Sequence, residues 1–224
     1  MDWHSTMRFP GESADYRAAR DKLLAAESDL RRQVEQVAEL RRRLPLGGEA
    51  PEDYAFEEDA GVPVLLSELF REGKDTLALY SFMFGPEMKQ ACPMCTSFLD
   101  SLDGAAPHAG QRLNLAVVAQ SPIGRIREFA HVRGWRNLRL LSSAGNTYNR
   151  DYYGENADGG QLPVMNLFVR RGGKIYHSYS TELVCGPAEP GQNQRHIDMM
   201  WPLWNLLDLT PEGRGMGWYP RLSY

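Results

Sequence analysis

Two cysteines three positions apart, Cys92 and Cys95, are the residues whose types and spacing point most directly to chemistry. The chain has 3 cysteines, an odd and small number that does not make a disulfide framework. Its first residues lack the charged-then-apolar pattern of a secretory signal, so the C-x-x-C pair indicates redox or metal chemistry rather than a structural disulfide. The third cysteine, Cys185, is expected to be a bystander thiol.

The position of the pair favours redox chemistry. It follows a predicted buried strand, and Pro93 suits the first position of a helix, so Cys92 is expected to cap that helix and Cys95 to lie one turn inside it. A thiolate at a helix N-terminus accepts backbone N–H groups and lies at the positive end of the helix dipole, which lowers its pKa. We therefore predict that Cys92 attacks a substrate disulfide and that Cys95 resolves the mixed disulfide.

Substrate contacts are expected next to the cysteines and in a proline loop. Pro93 and Met94 lie between the cysteines, and Leu162 and Pro163 directly precede a predicted strand hairpin. A cis Leu162–Pro163 bond would expose backbone groups able to pair with an extended chain, and about 5–6% of X–Pro bonds are cis. Disulfide exchange by a cysteine pair requires no cofactor, and none is expected.

Three alternatives to disulfide exchange stay open at this point. A thiol peroxidase would pass through a sulfenic acid on Cys92. A metal site would need further ligands, for which Cys185, His177 and His196 are the candidates. A binding module would use the fold without thiol chemistry. His177, on a predicted strand, is otherwise expected to be a structural histidine with satisfied hydrogen bonds.

The elements that must position these residues alternate between strands and helices. Strands are predicted at 54–56, 62–66, 76–84, 113–119, 138–141, 164–169 and 174–179, and helices at 93–107, 123–134 and 196–209. Ser121 is expected to cap the second of these helices, with Pro122 at its first position and Gly134 at its end. This order predicts an α/β fold, a mixed sheet with helices on both faces.

The first 50 residues are predicted to form a separate helical arm. Apolar residues recur every three to four positions over 13–44, with charges of both signs between them, and Ser13 is placed to cap this helix. We expect the arm to pack on the main domain, residues 51–224, or on a second subunit as a homodimer contact. Trp201 and Trp204 are expected in the core of the main domain.

Composition and charge exclude several other classes of protein. The chain has 224 residues, 25 basic and 29 acidic side chains, and a formal net charge of −4. Nucleic-acid binders usually show a basic excess, and no apolar run approaches the roughly 20 residues that span a bilayer, so we expect no nucleic-acid or membrane partner. The expected partners are thiols or disulfides of proteins or small molecules, and the expected location is cytoplasmic.

Three polar groups outside the pair have both a structural and a functional interpretation. Five arginines are expected on a solvated helix face, or else on a surface for an acidic partner. They are Arg125, Arg127, Arg133, Arg136 and Arg139. Arg195, His196 and Asp198 are expected to cap a helix or to lock the tail by an ion pair, with a substrate groove as the alternative. The polar loop 142–161 fits a series of turns and a functional loop equally.

The order of elements from about residue 54 to 208 resembles the thioredoxin superfamily. This resemblance rests on the C-x-x-C after the first core strand and on the proline before the terminal hairpin. The extra strand at 138–141 makes the order more similar to that of the peroxiredoxin branch than to that of minimal thioredoxin. Four motifs are similar to a bacterial family of predicted dithiol–disulfide oxidoreductases: ACPMCTSF at 91–98, LLSSAGN at 140–146, RHID at 195–198 and WPLW at 201–204. The resemblance implies a thioredoxin-like fold and a disulfide-exchange activity.

The sequence also departs from these families. Peroxiredoxins carry a threonine three positions before the peroxide-attacking cysteine, and Lys89 stands there in this chain. The departure disfavours peroxidase activity, although the Cys92-Pro93 pair resembles the peroxidatic one. The Pro93-Met94 dipeptide differs from the Gly-Pro of thioredoxin, which leaves the direction of electron flow open.

Overall fold

The computed structural model describes residues 7–59, 61–187, 190, 200–215 and 218–223. The chain divides into two compact units, Met1–Pro45 and Leu46–Tyr224. Arg195, His196 and Asp198 lie outside the described residues, as do the first residues of the helix predicted at 196–209. The side chain of Cys185 also lies outside the described part of the chain.

The first unit contains the predicted long helix, α1 (Ala14–Arg42). Ser13 caps it as expected, because its hydroxyl accepts the backbone N–H of Tyr16 at 3.1 Å. Ion pairs three or four residues apart, such as Arg43 with Glu39 at 2.6 Å, run along its surface. None of its 29 residues is buried, and the predicted homodimer contact through this helix stays a prediction.

The second unit is built on one seven-stranded sheet. Its strands are β1 (Ala55–Asp59), β2 (Val62–Leu65), β3 (Thr76–Ser81), β4 (Asn114–Ala119), β5 (Leu140–Ser142), β6 (Met165–Arg171) and β7 (Lys174–Ser180). They lie in the order β2-β1-β5-β4-β3-β6-β7. Strands β3, β4 and β5 are parallel, and the other pairings are antiparallel.

Helices provide the crossovers that parallel strands require. Helix α2 (Pro93–Ala109) joins β3 to β4, and α3 (Ile123–Arg133) joins β4 to β5. Two short helices, α4 (Tyr148–Asp151) and α5 (Pro202–Leu207), complete the described set. No helix in the described residues is both long and apolar enough to cross a membrane.

Strand β3 divides the core into two clusters because its side chains alternate between the two faces of the sheet. Leu77 and Leu79 contribute to one cluster. Ala78 and Tyr80 contribute to the other, which also contains both cysteines of the C-x-x-C pair. The pair therefore lies on one face of the sheet, beyond the end of the interior strand β3.

The predicted α/β fold class, a mixed sheet flanked by helices with a long N-terminal helix, is confirmed. The described elements follow the thioredoxin-like order: a strand, the C-x-x-C helix, a parallel strand, a helix, a third parallel strand and an antiparallel hairpin. Trp201 and Trp204 are buried as expected, with their ring centroids 4.5 Å apart.

One local prediction is wrong. Helix α3 begins at Ile123 with Pro122 as its cap, so Ser121 is not the capping residue. The Ser121 backbone N–H instead donates to the carbonyl oxygen of Phe84 at 3.0 Å, which holds this buried serine against the end of β3. The polar loop 142–161 contains the short helix α4, and the choice between its structural and functional interpretations stays open.

The interior position of β3, between β4 and β6, can be tested by a stability measurement. Leu79 has 0% of its surface exposed, and its truncation in Leu79→Ala leaves a cavity, so we expect a loss of about 2–5 kcal/mol in the free energy of unfolding, measured by chemical denaturation. Leu183→Ala is the matched control, since Leu183 is 87% exposed; it should change stability by less than about 0.5 kcal/mol. Equal effects of the two substitutions would contradict the placement of β3.

Candidate active site

The N-terminus of α2 positions Cys92. Cys92 has an extended backbone (φ −61°, ψ 122°) and is the N-cap, and Pro93 occupies the first helical position. Its sulfur accepts the backbone N–H of Cys95 at 3.5 Å. A second hydrogen bond fixes the backbone of Cys92, because its N–H donates to the carbonyl oxygen of Met83 at 3.1 Å. The predicted capping geometry is therefore present.

Cys95 lies one turn into the helix and is buried, with 1% of its surface exposed. The Cys92 side chain, Tyr80 and the backbone of Met83 surround its thiol. Cys92 is more accessible, with 9% exposed. Both cysteines are free thiols, so the structure presents the pair in its reduced form, with one sulfur toward the surface and one inside.

The two thiols have pKa values shifted in opposite directions. The Cys95 side chain, as hydrogen-bond donor, is the largest cause that lowers the pKa of Cys92 from 9.0 to about 6, assisted by backbone N–H groups and the Tyr219 hydroxyl and opposed by burial. Burial is the largest cause that raises the pKa of Cys95, reinforced by its bond to Cys92. At neutral pH the pair is therefore one thiolate and one thiol, as attack followed by resolution requires.

Two tyrosines flank the thiols, and no sequence pattern predicted either of them as a site residue. The Tyr219 hydroxyl oxygen lies 3.8 Å from the Cys92 sulfur, and the fully buried Tyr80 contacts Cys95. Tyr80 lies in an apolar strand and has the pattern of a core residue. Tyr219 is 127 positions from Cys92, so no local spacing connects the two.

Arg125 holds the loop that leads to the cysteines. Its guanidinium donates to the carbonyl oxygens of Gly85 and Pro86, both at 3.1 Å, and to that of Met88. The same group stacks over the Phe84 ring at 4.3 Å. Arg125 therefore acts within the domain and does not belong to the solvated face predicted for the five arginines.

Three of the other arginines form ion pairs. Arg127 pairs with Asp59, Arg133 with Asp100 and Arg139 with Glu58, the last at 2.7 Å. These contacts join α3 and the start of β5 to neighbouring elements. Arg127 and Arg136 are exposed, as expected for a solvated face, whereas Arg133 and Arg139 are half-buried and depart from that expectation.

The predicted substrate residues are only partly brought together. Pro93 and Met94 are half-buried beside the cysteines. The Leu162–Pro163 bond is trans, so the cis geometry considered above does not occur. Leu162 lines a cavity of about 780 Å³, and neither cysteine is among the described residues around it. Val164, directly after the proline, packs in the same core cluster as the cysteines.

The same cavity contains His177, one of the metal-ligand candidates. Its Nε2 lies 3.0 Å from the Asn166 side-chain oxygen, and burial lowers its pKa, as expected for a structural histidine. Within the described residues, no three His, Cys, Asp or Glu side chains are grouped to hold a metal ion. Two other candidates, His196 and the side chain of Cys185, lie outside that part of the chain.

The chain belongs to the family described as bacterial protein of unknown function (DUF899), whose model matches residues 6–224. The comparison with curated proteins gives no match.

Several solved structures are similar at low identity. A peroxiredoxin-like protein from Aquifex aeolicus is 15% identical, with 62% of this chain and 75% of that chain covered and a TM-score of 0.43. The reduced 2-Cys peroxiredoxin of Plasmodium vivax is 20% identical, with 60% and 83% covered and a TM-score of 0.43. An exposed lipoprotein thioredoxin from Streptococcus pneumoniae is 17% identical, with 56% and 87% covered and a TM-score of 0.40.

The opposite pKa shifts predict selective alkylation of the reduced protein. The rate of iodoacetamide labelling at Cys92 should rise with pH around a midpoint of about 6, because only the thiolate reacts and it forms as pH passes the pKa. Cys95 should stay unlabelled through neutral pH. Mass spectrometry with fragment-ion localisation distinguishes the two sites. Labelling of both thiols with one midpoint near 8.5, the value of a free cysteine, would contradict the geometry described above.

Proposed function

We propose that this member of the DUF899 family is a thiol–disulfide oxidoreductase, with Cys92 as the nucleophile and Cys95 as the resolving thiol. The observation that carries the proposal is the unequal pair at the N-terminus of α2: a low-pKa sulfur near the surface and a buried, high-pKa sulfur one turn away. A structural pair would need neither a stabilised thiolate nor this difference in burial.

In the first step the Cys92 thiolate attacks one sulfur of a substrate disulfide. A bond forms between the Cys92 sulfur and that sulfur, the substrate S–S bond breaks, and the other substrate sulfur leaves as a thiolate that takes a proton from solvent. No redox cofactor takes part, since the electron pair comes from Cys92. The backbone N–H groups that stabilised the thiolate then face a neutral mixed disulfide.

In the second step Cys95 loses its proton and attacks the Cys92 sulfur. The Cys92–Cys95 disulfide forms, the mixed disulfide breaks and the second substrate thiol is released, so two electrons pass from the pair to the substrate. Formation of the mixed disulfide favours the deprotonation of Cys95, because it removes the negative charge of Cys92 that raised the pKa of Cys95. A dithiol reductant then returns the pair to its free-thiol form.

The partners of this reaction are disulfides and thiols of proteins or small molecules. Pro93 and Met94 are the substrate-facing residues we propose on α2, because they lie between the two cysteines and are half-buried. Leu162 and Pro163 are proposed to contact a substrate from the neighbouring loop in the trans form. A cytoplasmic location stays a prediction from the sequence.

A trapping experiment tests the proposed order of the two steps. In Cys95→Ser the first step is intact and the resolving thiol is missing, so mixed disulfides with Cys92 should accumulate. With glutathione disulfide as the probe, intact-mass spectrometry should show an adduct that is lost on reduction. The double substitution Cys95→Ser, Cys185→Ser should trap the same adduct, and Cys92→Ser should trap none at position 95.

Two results would contradict the proposal. The first is the absence of an adduct in Cys95→Ser over a range of disulfide concentrations. The second is rapid conversion of Cys92 to a dimedone-reactive sulfenic acid by hydrogen peroxide together with no reaction with disulfides, which would indicate a thiol peroxidase instead.

A further inference from the structure

The C-terminal segment 218–223 brings a side chain to the active-site sulfur from outside the C-x-x-C helix. Tyr219 lies on this segment with its hydroxyl oxygen 3.8 Å from the Cys92 sulfur, within hydrogen-bond range for sulfur. Its ring is half-exposed, with 52% of the residue accessible. The hydroxyl thus lies between solvent and Cys92, a residue that is 9% exposed.

Contacts on both sides of Tyr219 hold the segment in place. Trp218 packs edge-on against the buried Trp204, with ring centroids 5.7 Å apart. On the other side, the Arg133 guanidinium donates to the carbonyl oxygen of Leu222 at 2.6 Å and also pairs with Asp100 of α2. The position of the Tyr219 hydroxyl is therefore fixed by α2, α3 and α5.

The hydroxyl also interacts with the end of the helix. The Met94 backbone lies beside both the Tyr219 hydroxyl and the Cys92 sulfur. Tyr80 makes the corresponding contact with Cys95 from the buried side. The chain Tyr80, Cys95, Cys92, Tyr219 thus leads from the core to the surface.

We propose that Tyr219 is a third functional residue of this site: its hydroxyl donates a hydrogen bond to the Cys92 thiolate and holds that sulfur ready for attack. The assignment of Tyr219 rests on the proposed function, because that function makes the Cys92 thiolate the attacking group. The mixed disulfide carries no charge on Cys92, so the Tyr219 hydrogen bond is strongest before attack and weakens once the S–S bond forms.

The test is the pH profile of the Cys92 thiolate in the full-length reduced protein. Tyr219→Phe removes the hydroxyl and keeps the ring, so the midpoint of iodoacetamide labelling, or of the thiolate ultraviolet absorbance, should move up by about one pH unit. Below both midpoints this corresponds to roughly tenfold slower labelling. Tyr153→Phe, at a 71% exposed tyrosine, is the matched control and should leave the profile unchanged.

Tyr219→Ala provides a second variant, because it also lacks the hydroxyl and should reproduce the upward shift. An unchanged labelling midpoint in both variants would overturn the assignment of Tyr219. A shift in the alanine variant alone would also overturn it, because the ring would then act only by covering the sulfur. These profiles do not require turnover. A shifted profile combined with no adduct in Cys95→Ser would support the Tyr219 hydrogen bond and overturn the exchange function.

Discussion

An α-helix leaves its first backbone N–H groups without partners inside the helix, and in α2 the Cys92 sulfur is the acceptor that meets them. The other features of the site depend on this contact. It stabilises the anionic form of Cys92, and it fixes the extended backbone that turns the sulfur toward the buried Cys95. Because the acceptor is also the proposed nucleophile, the interaction that starts the helix also helps to activate the sulfur, together with the Cys95 side chain, which is the largest cause of its lowered pKa.

The sheet determines where this helix begins. Strand β3 lies inside the sheet between β4 and β6, and residues 82–92 lead from its end to the start of α2 on the cysteine-bearing face. Arg125 stabilises this connection from α3 by donating to the carbonyl oxygens of Gly85, Pro86 and Met88. The position of Cys92 therefore depends on α3 as well as on α2, although no residue of α3 contacts a cysteine in the proposed mechanism.

The sequence predicted the features that depend on neighbouring residues. The cap at Cys92, the helix after it and the alternation of strands and helices all follow from spacings of a few positions, and each is present. The roles of Tyr219 and Arg125 could not be predicted in this way, because each depends on a contact between segments that are distant along the chain. The trans Leu162–Pro163 bond had no local signal either, since both isomers are compatible with the residues on each side.

The unequal pair also has a consequence for the direction of electron flow. A disulfide carries no charge, so every interaction that stabilises the Cys92 thiolate stabilises the reduced pair and raises its reduction potential. With the pKa lowered from 9.0 to about 6, the thiolate at pH 7 is about ten times more populated than the thiol, which stabilises the reduced form by about 1.4 kcal/mol, or about 30 mV for two electrons. The raised pKa of Cys95 does not offset this gain, because an unperturbed thiol with a pKa of 9.0 is already protonated at pH 7. The stabilisation falls away as pH decreases through the pKa of Cys92, since the thiolate is then protonated. Near neutral pH the stabilised thiolate thus makes the dithiol a weaker electron donor than the same pair with unperturbed thiols would be.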